Sequence, residues 1–207
     1  MTALNYLQSF ILGICIGSFL NVVIYRFQND ISIVKPRSFC PNCKSKLTWR
    51  ENIPLISWII QSGVCINCNR SISIRYPLVE LTTGSLFVIF TKSSPTLYVS
   101  SSNLFFNLTF SWIFLSLLIC IAIIDIDEFW IPQDLINFGF IFGFLGLIFI
   151  DIFNNRFIDF NFIVKTIGSS LIAFICFEAI RKFAKYIYKK DAIGKGDSKL
   201  IAMMALW

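Results

Sequence analysis

Long apolar runs, separated by short polar connections, make up most of this chain. A membrane-crossing helix needs about 20 predominantly apolar residues. Five runs approach or reach that length: residues 5–25, 77–91, 104–124, 134–150 and 162–180. The second run is short and carries Glu80, and a sixth begins after Asp197 and stops at Trp207, too short to cross. Because the runs are mostly apolar on all sides, as lipid-facing helices are, the pattern predicts an all-α, polytopic transmembrane helical bundle.

The composition agrees with that fold class, and the charges predict an orientation. The 207 residues are 56% hydrophobic, and the mean hydropathy of +0.72 is far above that of a soluble domain. Most of the 18 lysines and arginines lie in two segments, 26–75 and 181–199. By the positive-inside rule both segments are cytoplasmic and the N-terminus is outside. The net charge of +6 therefore indicates topology and anionic lipid headgroups, not nucleic acid.

The polar loop of residues 28–75 contains a candidate metal site. The loop is too short and too polar to build a core unaided. It carries two C-x-x-C pairs with 21 residues between them: Cys40 and Cys43, then Cys65 and Cys68. Four thiolates in such knuckles predict a tetrahedral site whose usual occupant is zinc. Redox or disulfide use of the cysteines is the alternative, which the reducing side of the membrane disfavours.

Two aspartates at the edges of apolar runs carry the candidate catalytic chemistry. The chain contains no histidine, which excludes Ser-His-Asp triads, Cys-His dyads and histidine-ligated metal sites. Under the predicted topology, Asp125 and Asp197 reach the same, cytoplasmic membrane face. Two carboxylates at close range titrate apart, so that one acts as base and the other as acid on a water. The simpler interpretations are an ordinary acidic loop around Asp125 and a helix-capping Asp197 in a flexible turn.

Polar and small residues inside the first two runs leave two interpretations open. Gly17 and Asn21 lie on the first run, where small and polar side chains serve close helix packing or contact a ligand. Glu80 lies one turn into the second run. It is either an N-terminal charge favoured by the helix dipole or a buried partner for Arg75 or Arg26.

Seven segments in order resemble bacterial type IV prepilin peptidases, over about residues 11–207. The segments are Gly17 to Arg26, Cys40-Pro-Asn-Cys43, Glu51-Asn-Ile-Pro-Leu-Ile-Ser-Trp58, Cys65-Ile-Asn-Cys68, Ile72 to Glu80, Asp125 to Pro132, and Gly194-Lys-Gly-Asp197-Ser-Lys-Leu200. The resemblance implies a membrane aspartic endopeptidase of the bacterial inner (plasma) membrane. Such an enzyme cuts the basic leader from prepilins or pseudopilins after a glycine on the cytoplasmic side. It also N-methylates the new terminal residue, with S-adenosylmethionine as the methyl donor.

The resemblance also assigns residues and regions. By position Asp125 and Asp197 are the catalytic pair, and the four loop cysteines are the family's tetrad. Gly17, Asn21 and Glu80 match positions in the half that is associated with methylation. Residues 1–92 then form a methyltransferase-associated region with two membrane spans, and residues 103–207 form the aspartic peptidase region. The expected partners are prepilin or pseudopilin substrates and the lipid bilayer, with no nucleic acid.

Two departures from the family pattern keep alternatives open. Gln133 stands where the family often has an acid after Ile-Pro, and the chain stops at Trp207 where relatives continue for further spans. The second departure predicts an incomplete C-terminus. A truncated, inactive fragment or a zinc-binding membrane module without catalysis is therefore the alternative function. A protease without methyltransferase activity is another, and the cysteine loop argues against a presenilin-like protease with other substrates.

Overall fold

The described part of the chain is built from helices and connecting loops. A computed structural model describes residues 3–93, 101–155, 160–190 and 193–207. The helices are α1 (Ala3–Gln28), α2 (Ile56–Ile60), α3 (Arg75–Ser93), α4 (Ser101–Glu128), α5 (Gln133–Asn155), α6 (Phe160–Tyr188) and α7 (Lys195–Leu206), with a 3-10 turn at Arg50–Asn52. The chain divides into two compact units, Met1–Thr96 and Leu97–Trp207.

Each of the five predicted apolar runs falls within a helix. Among the described residues, three helices are long and apolar enough to cross a membrane: Asn5–Gln28, Phe106–Glu128 and Phe160–Tyr188. The second predicted run lies in α3, which carries charged residues and is not among these three helices. The fourth lies in α5, where the apolar stretch Gln133–Phe149 is shorter. The all-α, multi-pass membrane class is therefore confirmed.

In the first unit, α1 and α3 pack antiparallel through small residues. A Cβ added at Gly13 would lie 2.7 Å from the Cα of Gly84, and one added at Gly17 would lie 2.7 Å from the Cα of Glu80. These distances show that the two backbones are in direct contact, as small residues permit between membrane helices. The hydroxyl of Thr91 donates to Ser9 at 3.0 Å between the same helices.

The loop between α1 and α3 folds around two similar knuckles. In each, the first cysteine donates its N–H to a carbonyl five residues on (Cys40 to Ser45, Cys65 to Arg70). Each cysteine also accepts the N–H four residues on, from Lys44 and Asn69 respectively. Buried Arg26, near the end of α1, donates to the carbonyls of Ser32, Ile33 and Pro36. The loop is therefore fixed at its start by one guanidinium group and in its body by repeated turns.

In the second unit, α7 packs against α5 and α6. Met203 lies so close to Gly139 that a Cβ there would overlap its sulfur. Trp207 Nε1 donates to the carbonyl of Gly139 at 2.8 Å. On the other side, Ser170 donates to the carbonyl of Ala202 at 2.7 Å. These contacts fix the rotation of α7 about its axis, which sets the direction in which its first turn presents Asp197.

Candidate functional site

The four loop cysteines come together in the first unit. Their sulfurs all lie within 4.8 Å of one another, and Cys40 Sγ is 4.0 Å from Cys68 Sγ. A tetrahedral zinc with Zn–S bonds of about 2.3 Å holds its ligand sulfurs about 3.8 Å apart. The spacing therefore fits such an ion, and all four cysteines are free of disulfides. The predicted cluster that could hold a metal is confirmed.

Hydrogen bonds prepare part of this cluster for metal binding. Two hydrogen bonds from Ser45, a stronger one from its hydroxyl and a weaker one from its backbone, lower the pKa of the Cys43 thiol to about 6. Hydrogen bonds from two backbone N–H groups, that of Cys68 and, with a smaller effect, that of Asn67, lower the pKa of Cys65. Asn67 Nδ2 also donates to Ser45 Oγ at 3.0 Å, which links the two knuckles. Since metals bind the thiolate form, these donors favour the state that an ion requires.

A cavity of about 160 Å³ lies beside this cluster, within the first unit. One wall is formed by α1, another by the start of α3, and the rest by the loop. Its polar and aromatic lining includes Ser18, Asn21, Glu51, Trp58, Tyr76 and Glu80. Cys40 and Cys65 also line it, so the cavity and the cysteine cluster are parts of one structure. Its lining offers two carboxylates and the aromatic rings of tyrosine, phenylalanine and tryptophan.

Glu80 is a buried and hydrogen-bonded group in that cavity. It is 8% exposed, and its Oε2 accepts the N–H of Leu55 at 2.7 Å. The Ser18 hydroxyl also donates to it. Leu55 has φ +60°, a left-handed conformation that is uncommon for a residue with a bulky side chain. Glu80 therefore holds a strained turn at the cavity wall, while the Arg26 guanidinium binds loop carbonyls.

The other two methylation-associated residues have different surroundings. Asn21 is 5% exposed, lines the cavity and donates through Nδ2 to the carbonyl of Tyr76 at 2.9 Å. Gly17 is buried against the backbone of Glu80. Of the two interpretations of Gly17, the structure provides direct evidence for helix packing, while the neighbouring Ser18 is the residue that reaches the cavity.

The two candidate catalytic aspartates are both in the second unit. Asp125 lies in the last turn of α4, where its carbonyl accepts the N–H of Phe129 at 2.9 Å. Its side chain is exposed, and within the described part of the chain no hydrogen bond or ion pair engages its carboxylate. Asp197 is the third residue of α7 and is half-buried. Gly194, not Asp197, is the N-cap residue of α7. Asp197 Oδ2 instead accepts the N–H of Gly194 at 3.0 Å from the third helical position, and Oδ1 stays available.

A close contact joins the segments that carry these aspartates. A Cβ added at Gly196 would lie 3.1 Å from the Cβ of Ile131, so the turn before Asp197 packs on the connection that follows Asp125. Lys199 Nζ donates to Gln133 Oε1 at 2.5 Å. Gln133 is the position where the sequence departs from the family pattern. An amide oxygen there still accepts the lysine, and the departure leaves this contact in place.

Sequence reasoning missed a polar cluster behind Asp197. Ser198 is 1% exposed and donates to Glu178 Oε2 at 3.1 Å. Arg181 binds both oxygens of Glu178, with Nε 2.9 Å from Oε2. An acid and a base three residues apart near the end of an apolar run are the sequence signal, because such a pair lies on one helix face.

The arrangement defines a class: a helical membrane protein with a four-cysteine loop and two acceptor carboxylates on adjacent segments. The model of the Bacterial Peptidase A24 N-terminal domain matches residues 11–93, and the model of the Type IV leader peptidase family matches residues 112–207. The chain belongs to the type IV leader peptidase family. This membership confirms the resemblance drawn from the seven sequence segments.

Three relatives illustrate the similarity. The Prepilin leader peptidase/N-methyltransferase of Myxococcus xanthus (strain DK1622) is 36% identical over 94% of this chain and 53% of its own length. The Type 4 prepilin-like proteins leader peptide-processing enzyme of Escherichia coli O78:H11 is 33% identical over 94% of this chain and 74% of its own. The Prepilin leader peptidase/N-methyltransferase of Klebsiella pneumoniae is 31% identical over 96% of this chain and 82% of its own length.

The chain therefore spans about half the length of the Myxococcus relative and about three-quarters or more of the other two. No solved structure matches it.

Proposed function

We propose that this chain is a membrane aspartic endopeptidase that removes the basic leader from type IV prepilins or pseudopilins, after a glycine and on the cytoplasmic side. The observation that carries the proposal is the packing of Gly196 on Ile131. It brings the turn that presents Asp197 against the connection that follows Asp125. Both carboxylates retain oxygen atoms that no described residue occupies, as a water-activating pair requires.

The proposed mechanism uses the two aspartates in complementary protonation states. The hydrophobic helix of the substrate enters laterally from the bilayer, and its leader stays in the cytoplasm. One carboxylate removes a proton from a water, which attacks the scissile carbonyl. The other, protonated, donates a hydrogen bond to that carbonyl and then protonates the leaving amine. The pair shares one proton and titrates as a unit.

Membrane assays of prepilin cleavage test this assignment. The unmodified chain in membranes is compared with Asp125→Asn and Asp197→Asn, and with Asp127→Asn as a matched control on the same turn. We expect both of the first two variants to lose cleavage and the control to retain it. If Asp125→Asn cleaves normally and Asp127→Asn does not, the catalytic assignment is wrong. If the unmodified chain fails while a longer relative cleaves, the inactive-fragment alternative is correct.

We further propose that the first unit N-methylates the new terminal residue, with S-adenosylmethionine as donor. The supporting observation is the cavity that joins Asn21 and Glu80 to the cysteine loop. The buried carboxylate of Glu80 suits a donor whose reactive sulfur is cationic, and the aromatic rings of the cavity suit a planar base. The donor supplies the methyl group. The chain must exclude water and accept the proton that the amine loses, for which Glu80 is the candidate group.

Zinc is the proposed occupant of the cysteine cluster, where it would stabilise the loop. The ligands would be Cys40, Cys43, Cys65 and Cys68, all of which are cysteine sulfurs without a water-bearing position. A closed four-sulfur site of this kind is structural rather than catalytic. The proposed location is the bacterial inner membrane, with the N-terminus outside and the cysteine loop and both aspartates cytoplasmic. Residues 1–92 would serve methylation and residues 103–207 proteolysis.

A further inference from the structure

The short helix α2 has one face turned toward the cavity and one face that is largely exposed. Ser57 and Trp58 line the cavity of the first unit. Ile56, Ile59 and Ile60 point the other way and are 52%, 68% and 76% exposed. Spacings of three and four residues place these isoleucines on a single face of the helix. Three isoleucines exposed together on one helix face form an apolar patch that requires an explanation.

The position of α2 along the axis of α1 explains why these isoleucines are exposed. Leu55, which precedes α2, is bonded to Glu80, and Glu80 is level with Gly17 through direct backbone contact. Gly17 lies eleven residues before the last residue of α1 (28 − 17 = 11), which corresponds to about 16 Å along the helix. The segment 55–60 therefore turns back alongside α1 instead of lying beyond its end.

The length of α1 places that level within the bilayer. Its membrane-crossing part, Asn5–Gln28, has 24 residues and is therefore about 36 Å long, against a hydrocarbon core of about 30 Å. Even if the whole excess of about 6 Å extends past the membrane face where α1 ends, the level of Gly17 is inside the core. Because the Glu80 side chain leans toward the N-terminus of α3, α2 lies somewhat closer to that face.

We propose that α2 lies in the interface of the bilayer, with Ile56, Ile59 and Ile60 among the acyl chains just below the headgroups. Phe19 on α1 and Leu78 on α3, each two residues from the Gly17–Glu80 contact, are also apolar and exposed. Segment 53–60 carries no charge, and exposed Arg50 precedes it, where it suits anionic headgroups. The bilayer then holds Ser57 and Trp58 over the cavity. This inference requires only the membrane fold, and neither proteolysis nor methyl transfer.

Site-specific fluorescence in proteoliposomes tests the inference. Dansylalanine is introduced by amber suppression at position 60 of the full chain, and in separate samples at position 59 and at position 34. Val34 is the matched control: it is an 82% exposed apolar residue of the same loop, in the segment that Arg26 anchors at the end of α1. Each sample is exposed to phospholipids brominated near the headgroup and, separately, to aqueous iodide.

We expect the brominated lipid to reduce emission at positions 59 and 60 about two-fold, because an interfacial apolar face lies about 5–10 Å into the headgroup and acyl boundary. Iodide should act mainly at position 34. Quenching at 59 and 60 by iodide alone would show that α2 is in water. Quenching there by neither agent would show that protein covers it. Either outcome overturns the inference. Gel filtration of each sample confirms that the labelled chain is folded.

Discussion

Ser198 donates a 3.1 Å hydrogen bond to Glu178 directly behind the candidate catalytic residue Asp197. Successive helix residues point about 100° apart, so Ser198 anchors the first turn of α7 to α6 while Asp197 faces elsewhere. Arg181 holds Glu178 from the other side. The carboxylate of Glu178 is therefore held in place, and through Ser198 it positions the turn that carries Asp197.

We predict that Glu178→Ala lowers the kcat of prepilin cleavage about tenfold, because a hydrogen bond to a charged group contributes about 1.5–3 kcal/mol. The KM should change little, since Glu178 acts through Ser198 and does not touch substrate. Glu178→Gln retains an acceptor for Ser198 and should recover most of the lost rate. Separate determination of kcat and KM for the three proteins in membranes checks this.

Two further variants distinguish positioning from a general loss of stability. Gln133→Ala removes the acceptor of Lys199, which lies on the exposed side of α7 next to Ser198. Because exposed interactions are weak, this variant should keep kcat within about two-fold of the unmodified chain. Ser198→Ala combined with Glu178→Ala should be no slower than either single variant, because both remove one interaction. Additive losses, or a normal rate for Glu178→Ala, would contradict the positioning role.

Local features of the sequence were enough to predict the long helices and the cysteine cluster. Apolar runs specify helices by their length, Pro132 marks the start of α5, and C-x-x-C pairs form knuckles from contacts within six residues. The Glu178–Ser198 and Glu80–Leu55 contacts join residues 20 and 25 positions apart. They depend on the rotation of helices about their axes, which no local pattern encodes. Helix α2 was missed for the same reason, since Glu80 holds the strained turn that starts it.

Gly17 allows a close approach of α1 and α3, and its replacement should destabilise the first unit. We predict that Gly17→Ala lowers the free energy of unfolding by about 1–3 kcal/mol, the usual cost of overpacking. The added Cβ would lie 2.7 Å from the Cα of Glu80, so backbone must move. Thermal unfolding in detergent measures the effect.

Gly168→Ala is the matched control for that substitution, because nothing lies within 4 Å of a Cβ at this helical position. It should leave the chain unchanged or stabilise it by about 0.5–1 kcal/mol, since alanine is the better helix former. Equal unfolding temperatures for the two variants would show that α1 and α3 are not in backbone contact.

Removal of metal should unfold the cysteine loop and leave the membrane helices folded. The loop has few apolar contacts of its own, so binding energy for an ion becomes folding energy. We predict that a strong chelator, or Cys65→Ser, makes the lysine and arginine positions between residues 35 and 70 sensitive to trypsin. Cys176→Ser, an exposed cysteine outside the cluster, should have no effect. A loop that resists trypsin equally in all samples would exclude a structural metal.

Glu80 should separate the two proposed activities. Glu80→Gln keeps an oxygen that accepts the N–H of Leu55 but removes the negative charge from the cavity. We predict that it lowers transfer of labelled methyl groups at least about tenfold, equivalent to about 1.4 kcal/mol, while cleavage by Asp125 and Asp197 continues at the normal rate.

Glu80→Ala should impair methylation and also destabilise the first unit, because a buried N–H left without a partner costs about 1–3 kcal/mol. Glu51→Gln, a change at the exposed edge of the same cavity where Thr48 binds the carboxylate, is the control and should methylate nearly normally. Methylation by Glu80→Gln at the rate of the unmodified chain would show that the charge has no part in the transfer, and the cavity would then need another role.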